Sequence, residues 1–237
     1  IGGQFNLARR IPGKEDYAET IHYYERRLSD LGVTIRLETM ADAAILSALG
    51  ADEIVLATGV HPRVPDIEGI GHPYVMTYDQ AILKPERVGK RVALIGAGGI
   101  GFDVAALLLH PEGTQDPRKP DTLTFAREWG IDLTYQARGA LLPGEHRWPA
   151  RRTVYLLQRR ESSKFGTGLS KTRGWANFLE VMFRGVNMIG DAVYKKIDDD
   201  GLHTEICGDA RGFNVDTSVL CSGQERSDAL LPELQSL

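Results

Sequence analysis

Apolar residues along the chain fall into helical and strand-like periods that alternate, and this alternation predicts an α/β fold built on a parallel sheet. Tyr17, Ile21, Tyr24, Leu28 and Leu31 mark one face of a helix that Gly32 ends. Val33, Ile35 and Leu37 alternate with polar neighbours as a half-buried strand. A short helix over 41–49, closed by Gly50, leads into Glu53-Ile-Val-Leu-Ala57, which reads as a buried strand running into the small turn Thr58-Gly59. From His61 to Lys90 the chain carries Pro62, Pro65, Pro73 and Pro85, so residues 63–87 are expected to be an extended linker.

The strongest pattern follows. Val92 to Ile95 is a continuous apolar run suited to a strand buried on both faces, and Ile100, Val104, Leu107 and Leu108 then recur at helical spacing. Between them lies Gly96-Ala-Gly98-Gly99-Ile100-Gly101. In a strand-turn-helix context this spacing is a dinucleotide cradle. Gly96 permits the sharp turn, Gly98 lets the backbone approach a pyrophosphate, and Gly101 lets the helix pack close to the strand. Gly99 and Ile100 open the helix, whose unpaired N–H groups and dipole favour an anion.

Residues 110–151 hold five prolines and one helical stretch, 122–129, closed by Gly130, and read as an insertion. Beyond it come a buried strand at 154–158, a helical stripe of Trp175, Phe178, Leu179 and Met182 ended by Gly185, and a strand at 186–189. A hairpin about Asp198-Asp-Asp-Gly201 and a last strand, Val219-Leu-Cys-Ser-Gly223, complete the pattern. The residues after the second buried strand set cofactor preference. An acid there accepts hydrogen bonds from the adenosine ribose of NAD, whereas arginine pairs with the 2′-phosphate of NADP. The strand ends Gln158-Arg159-Arg160, and Lys164, Lys171 and Arg173 follow in a loop whose single acid is Glu161. Arg159 and Arg160, with Lys171, are therefore the candidate 2′-phosphate ligands. Ser222, Gly223 and Gln224 sit at a strand's carboxyl end, the side on which such sheets bind ligands.

A chain of 237 residues with a net charge of −4 offers no basic footprint for nucleic acid and no apolar run near the ~20 residues of a membrane span. Cys207 and Cys221 make no C-x-x-C, which argues against a redox dithiol or an iron–sulfur cluster held within the chain and makes the cytoplasm the expected compartment. Its six histidines show no metal-ligand spacing, and no nucleophile elbow or carboxylate pair stands out, so no catalytic side chain and no metal site is assigned. Hydride transfer between cofactors needs neither.

Gly2-Gly-Gln-Phe, Ile54-Val-Leu-Ala-Thr-Gly59, Gly96-Ala-Gly-Gly-Ile-Gly-Phe-Asp103, Gly168-Leu-Ser-Lys-Thr-Arg-Gly-Trp175, Lys196-Ile-Asp-Asp-Asp-Gly-Leu202 and Cys221-Ser-Gly-Gln-Glu225 together resemble the C-terminal region of bacterial NADPH-dependent 2,4-dienoyl-CoA reductase. That family is one of old-yellow-enzyme-related iron–sulfur flavoproteins. The resemblance covers essentially the whole chain, with Arg226-Ser227 in place of the family's Pro-Asn and Ser170 in place of a glycine. It implies a Rossmann-like NADPH-binding domain at 88–237 with the insertion at 110–151, and part of a second, FAD-binding Rossmann-like domain at 1–62. Gly3, Gln4, Thr58 and Gly59 match flavin-contacting positions and form half of an FAD site. It further implies a parent enzyme in which electrons pass from NADPH to FAD, then through a 4Fe-4S cluster and FMN in a preceding barrel to an unsaturated acyl-CoA in fatty acid β-oxidation. The chain is then a fragment inactive in dienoyl-CoA reduction by itself, whose partners are the nicotinamide dinucleotide and the parent's remaining domains. The alternatives are a stand-alone NADP-binding module or the matching domain of a flavoprotein dehydrogenase of the trimethylamine dehydrogenase type.

Overall fold

The computed structural model describes residues 1–110, 121–144, 148 and 150–235. Its strands are β1 (Val60–Pro62), β2 (Val75–Thr77), β3 (Arg91–Ile95), β4 (Thr153–Leu157), β5 (Asn187–Ile189), β6 (Ala192–Asp198), β7 (Gly201–Ile206), β8 (Asp209–Phe213), β9 (Thr217–Leu220) and β10 (Gln224–Arg226). The α-helices are α1 (Phe5–Ala8), α2 (Tyr17–Asp30), α3 (Ala43–Ala48), α4 (Tyr78–Leu83), α5 (Gly99–Leu109), α6 (Thr122–Glu128), α7 (Gly174–Phe183) and α8 (Leu231–Gln235). Five strands form a parallel sheet in the order β2-β9-β3-β4-β5.

The run Val92 to Ile95 is apolar at every position because both of its faces are covered. Val92 and Leu94 pack with Phe102, Val104 and Leu108 of α5 and Val181 of α7. Ala93 and Ile95 turn to the other face, where Ile197, Leu202 and Phe213 of the antiparallel meander β6-β7-β8 cover them. Val92 to Ile95 are all fully buried, as a parallel strand between two layers requires. The predicted hairpin about Asp198–Gly201 forms, with Asp198 paired to Gly201, and the meander gains β8, which the sequence pattern does not show. Cys207 and Gly208, both at positive φ, make the two-residue turn into it.

Three expectations are corrected by tertiary context. The linker over 63–87 contains β2, which pairs with β9, and α4, whose Tyr78, Ala81 and Ile82 enter the core. Prolines at 65, 73 and 85 lie outside both elements and so block neither. The half-buried strand at Val33, Ile35 and Leu37 does not form, and these side chains stand 42–63% exposed. Residues 53–57 likewise join no ladder, with Val55 85% exposed. A strand needs neighbours for its backbone groups and a layer to bury its side chains, and the described residues supply neither there. Helix α2 does form, closed by Gly32 at φ +67 with Val33 N–H donating to Leu28 O and Gly32 N–H to Ser29 O. Within it only Ile21 is buried.

In α7, Val181 is the fully buried residue, while Trp175 and Met182 of the predicted stripe stand 62% and 43% exposed. The helix turns Val181 into the same core as Phe102, and Phe178 of the stripe packs against it with its ring 5.9 Å from that of Phe102. The insertion lies partly outside the described residues, at 111–120, 145–147 and 149; α6 forms within it and Gly130 closes it at φ +62.

Downstream of α6, Asp132 holds its loop together. It accepts from Thr134 Oγ1 at 2.6 Å, Ala137 N–H at 2.6 Å and Thr134 N–H at 2.9 Å. These hydrogen bonds, led by that of the Thr134 hydroxyl, draw its pKa down to about 2. A carboxylate with a depressed folded pKa contributes stability that is fully present above the unfolded value, about 3.9, and is lost as pH falls through about 2. The stability gap between wild type and Asp132→Ala in urea titrations is therefore expected to narrow from pH 4 to pH 2. A gap that stays constant over that range removes the carboxylate from the loop's stability.

Candidate functional site

The register of the sheet assembles the site. Ile95 at the end of β3 lies level with Leu157 of β4 on one side and Leu220 of β9 on the other. The residues that follow these three, Gly96, Gln158 and Cys221, therefore leave the sheet side by side at its carboxyl edge. The chain runs from β3 through α5 to β4 in one direction and returns to β3's other side only as β9. This is the switch point at which an open α/β sheet leaves a crevice.

Each glycine of the turn has its own reason. Gly96 has φ +116, and a Cβ there would lie 2.5 Å from Cys221 O. At Gly101 a Cβ would sit 2.0 Å from Gly96 O and 3.3 Å from Leu156 Cδ1, so this residue sets the contact between α5 and the turn. Gly98 and Gly99 are different, since a Cβ at either meets nothing within 4 Å. They face open space, and that space is the cleft. Gly98 caps α5 without a side-chain hydrogen bond, leaving the first N–H groups of the helix to a ligand.

The cleft encloses about 420 Å³ and brings together Gly96, Gly98, Gly99 and Ile100 with Arg159, Arg160, Ser222 and Gly223. Gly101 lies beneath it as a packing residue. Lys164, Gly168, Gln158 and Tyr194 also line it. Lys171 does not: it is exposed beyond the wall, and Lys164, held on the single 3-10 turn Ser162–Lys164, takes the place expected of it. Gln224 lies on β10 outside the cleft and donates through Nε2 to Tyr78 Oη at 2.8 Å.

Gln158 explains how two arginines come to line the cleft. It is buried, and its Nε2 donates to Glu161 O at 2.8 Å, which folds the loop back after β4. Gly190 completes this packing, since a Cβ there would meet Ser162 N at 2.4 Å. Two acids lie beside the arginines, and both are engaged with the loop: Glu161 accepts from Ser163 Oγ at 3.2 Å, and Asp191 accepts from Ser162 N–H at 3.4 Å while its own N–H donates to Arg160 O at 2.9 Å. Tyr194 comes from the meander below; burial pushes its hydroxyl's pKa up, against the pull of Arg159, and the oxygen has no hydrogen-bond partner among the described residues. Cys221 is fully buried and its thiol pKa is raised, first by burial and then by Asp103, so it stays a neutral thiol. Cys207 is exposed, and the two form no disulfide.

The four predicted flavin positions do not share this cleft. Gly3 and Gln4 precede α1, whereas Thr58 Oγ1 donates to Ser227 O and Gly59 O accepts from Ser227 N–H at 3.0 Å beside the β1–β10 ribbon. A second cleft, of about 410 Å³, lies across α5 from the first and is bordered by Lys14, Tyr17, Asp103, Ser170 and Asn177, with Gly99 common to both. Lys14 Nζ and Asp103 Oδ2 pair there at 2.6 Å. Sequence spacing cannot reveal this pair, because 89 residues separate its members.

Residues 45–237 match the pyridine nucleotide-disulphide oxidoreductase family. The chain belongs to that family. Its parallel sheet and glycine turn are the Rossmann-like core of such an oxidoreductase domain, and the family implies FAD and NAD(P)H as cofactors. Among relatives, a metal reductase of Desulforamulus reducens is 26% identical over 241 residues, covering 99% of this chain and 34% of the relative. An NADH oxidase of Thermoanaerobacter brockii is 24% identical over 236 residues, 94% of this chain and 35% of the relative. A solved 2-naphthoyl-CoA reductase shares the fold with a TM-score of 0.74 at 22% identity, over 99% of this chain and 29% of that one. The chain thus spans about a third of the length of these relatives. No helix among the described residues of this oxidoreductase domain is long and apolar enough to cross a membrane, and none of its described His, Cys, Asp and Glu residues form a group of three able to hold a metal ion.

Proposed function

We propose that the chain is the NADPH-binding, hydride-donating part of a flavin-dependent reductase of the 2,4-dienoyl-CoA reductase kind. The observation that carries this reading is the convergence of Arg159, Arg160 and Lys164 on the cleft opposite the glycine turn, with the strand-end acid of an NAD site replaced by the inward-folded Gln158. Gly98, Gly99 and Ile100 offer backbone N–H groups to the pyrophosphate. Arg159 and Arg160 take the 2′-phosphate, with Lys164 as the third cation. Ser222 and Gly223, at the end of β9, border the opposite half of the cleft, where the nicotinamide arrives. When bound, the nicotinamide supplies a hydride; this chain's task is to hold it in place, and no side-chain acid or base is required.

The motifs around Gly168 to Trp175 and Cys221 to Glu225 support the dienoyl-CoA reductase branch. On that reading FAD, FMN, the 4Fe-4S cluster and the acyl-CoA site depend on the parent enzyme's other domains, in the cytoplasm. Gly3, Gln4, Thr58 and Gly59 contribute only a half-site, so FAD binds the isolated chain weakly.

Thermal unfolding with each cofactor tests the proposal. A ligand at about 100 times its Kd stabilises the folded state by about 2.7 kcal/mol. NADPH is expected to raise the melting temperature clearly above NADH at equal concentration, with little response to FAD. Equal shifts with NADPH and NADH overturn the 2′-phosphate assignment, and a large FAD shift overturns the half-site.

A further inference from the structure

The wall of the dinucleotide cleft that carries Lys164 and Gly168 is a loop outside the sheet, with α7 against it, where a Cβ on Gly166 would meet Phe178 Cδ2 at 3.0 Å. It runs from the turn Ser162–Lys164, where Ser162 N–H donates to Asp191 Oδ2 at 3.4 Å, to Gly174 at the start of α7, and between these ends its hydrogen bonds are local. Thr167 Oγ1 donates to Lys164 O at 2.9 Å, Leu169 N–H to Gly166 O at 3.0 Å, and Gly174 N–H to Ser170 O at 2.7 Å. Such bonds shape a loop without setting its distance from the rest of the fold. Phe165 and Leu169 rest on the core. The polar link at the α7 end is Arg173, whose guanidinium donates to the backbone carbonyls of Gly13 and Pro12, while its Nε donates to Asn177 Oδ1 at 3.2 Å.

The acceptors of that link are themselves anchored. Ile11 is buried in the core beside α5. Gly13 has φ +73, and a Cβ there would meet Arg173 Nη2 at 2.4 Å, so glycine is what lets the guanidinium lie on this turn. The next residue, Lys14, pairs with Asp103 on α5, the helix whose start faces the dinucleotide. Residues 11–14 therefore grip the core, α5 and the loop at once.

We infer that Arg173 is a positioning residue of the dinucleotide cleft: its clasp on the carbonyls of residues 12 and 13 sets how far the Lys164–Gly168 wall stands from the glycine turn of α5. The inference rests on the proposed NADPH-binding function. Arg173 borders the second cleft and not the first, so it acts through the loop and not by touching a phosphate. A wall released from the clasp carries Lys164 away from the 2′-phosphate, while the pyrophosphate, held by α5, keeps its ligands. The loss therefore falls on NADPH and spares NADH.

The test measures Kd for NADPH and for NADH on the full chain carrying Arg173→Ala, Arg173→Gln, Arg173→Lys or Lys171→Ala, with ligand-free melting temperatures alongside. Arg173→Ala and Arg173→Gln are expected to weaken NADPH about tenfold and NADH less than about twofold, a tenfold loss being about 1.4 kcal/mol. Arg173→Lys, which keeps one charged donor for the carbonyls, recovers part of the loss. Lys171→Ala, which removes an exposed charge from the same loop, changes either Kd less than about twofold. The clasp is overturned by a wild type that prefers NADPH and variants that keep the same NADPH-to-NADH ratio, or by equal effects of Arg173→Ala and Lys171→Ala. A wild type with no preference overturns the 2′-phosphate assignment itself, and the clasp with it.

Discussion

Replacing Arg159 and Arg160 together by alanine is expected to weaken NADPH binding by about a hundredfold while leaving NADH within about threefold. Each guanidinium that pairs with a phosphate contributes roughly 1.5–3 kcal/mol, and every 1.4 kcal/mol is tenfold in Kd. Both side chains are exposed and screened by water, so each contributes at the low end of that range. For the same reason the NADPH preference of the wild type should shrink as salt rises from 0.05 to about 0.5 M. Isothermal titration with both cofactors measures the two effects together. Parallel losses for NADPH and NADH place the arginines on the pyrophosphate and remove the reason for preferring NADPH. NADH is the informative control because it differs at the one group these residues are assigned to read.

The second large effect is on the fold. Gly101→Ala is expected to cost about 3 kcal/mol, since its Cβ would come within 2.0 Å of the Gly96 carbonyl oxygen, which belongs to backbone and cannot rotate away. Relief requires α5 to lift from the turn, and Phe102, Val104 and Leu108, all fully buried, then lose their packing against β3. Gly98→Ala separates stability from binding. Gly98 has φ −83 and ψ −171, which alanine adopts without strain, and its Cβ would face open space, so urea stability should stay within about 0.5 kcal/mol of wild type. The methyl group then occupies the space a pyrophosphate needs, and dinucleotide affinity falls. Equal stabilities for the two variants would mean that the glycines share one role, contrary to the distances.

The glycine turn is legible in the sequence because its determinants are local: a strand period, a helical period and glycines at fixed offsets act over a dozen residues. The position of Arg159 and Arg160 at a strand end is legible for the same reason, since the apolar period of that strand is plain. Lys164 was visible only as one cation among several in a loop. Nothing in the spacing distinguishes it from Lys171, because the choice depends on how Gln158 and Gly190 fold that loop against residues 161 and 162. The linker reading failed at β2, a three-residue strand whose period is too short to register. Its place is set by pairing with β9, more than 140 residues later.

By itself the sequence determined the α/β class, the glycine cradle, the cationic strand end and the absence of a C-x-x-C dithiol, all properties carried by residue type and near-neighbour spacing. The tertiary structure decided which apolar runs became strands, because a strand forms only where other strands complete its hydrogen bonds and another layer covers it. Residues 33–37 and 53–57 have the pattern without those neighbours and remain uncovered, whereas β2 has them although its segment is rich in proline. It also decided which charges meet. Lys14 with Asp103, and Arg173 with the carbonyls of residues 12 and 13, are contacts across 89 and about 160 residues. Only the register of the sheet and the packing of α5 and α7 bring them together.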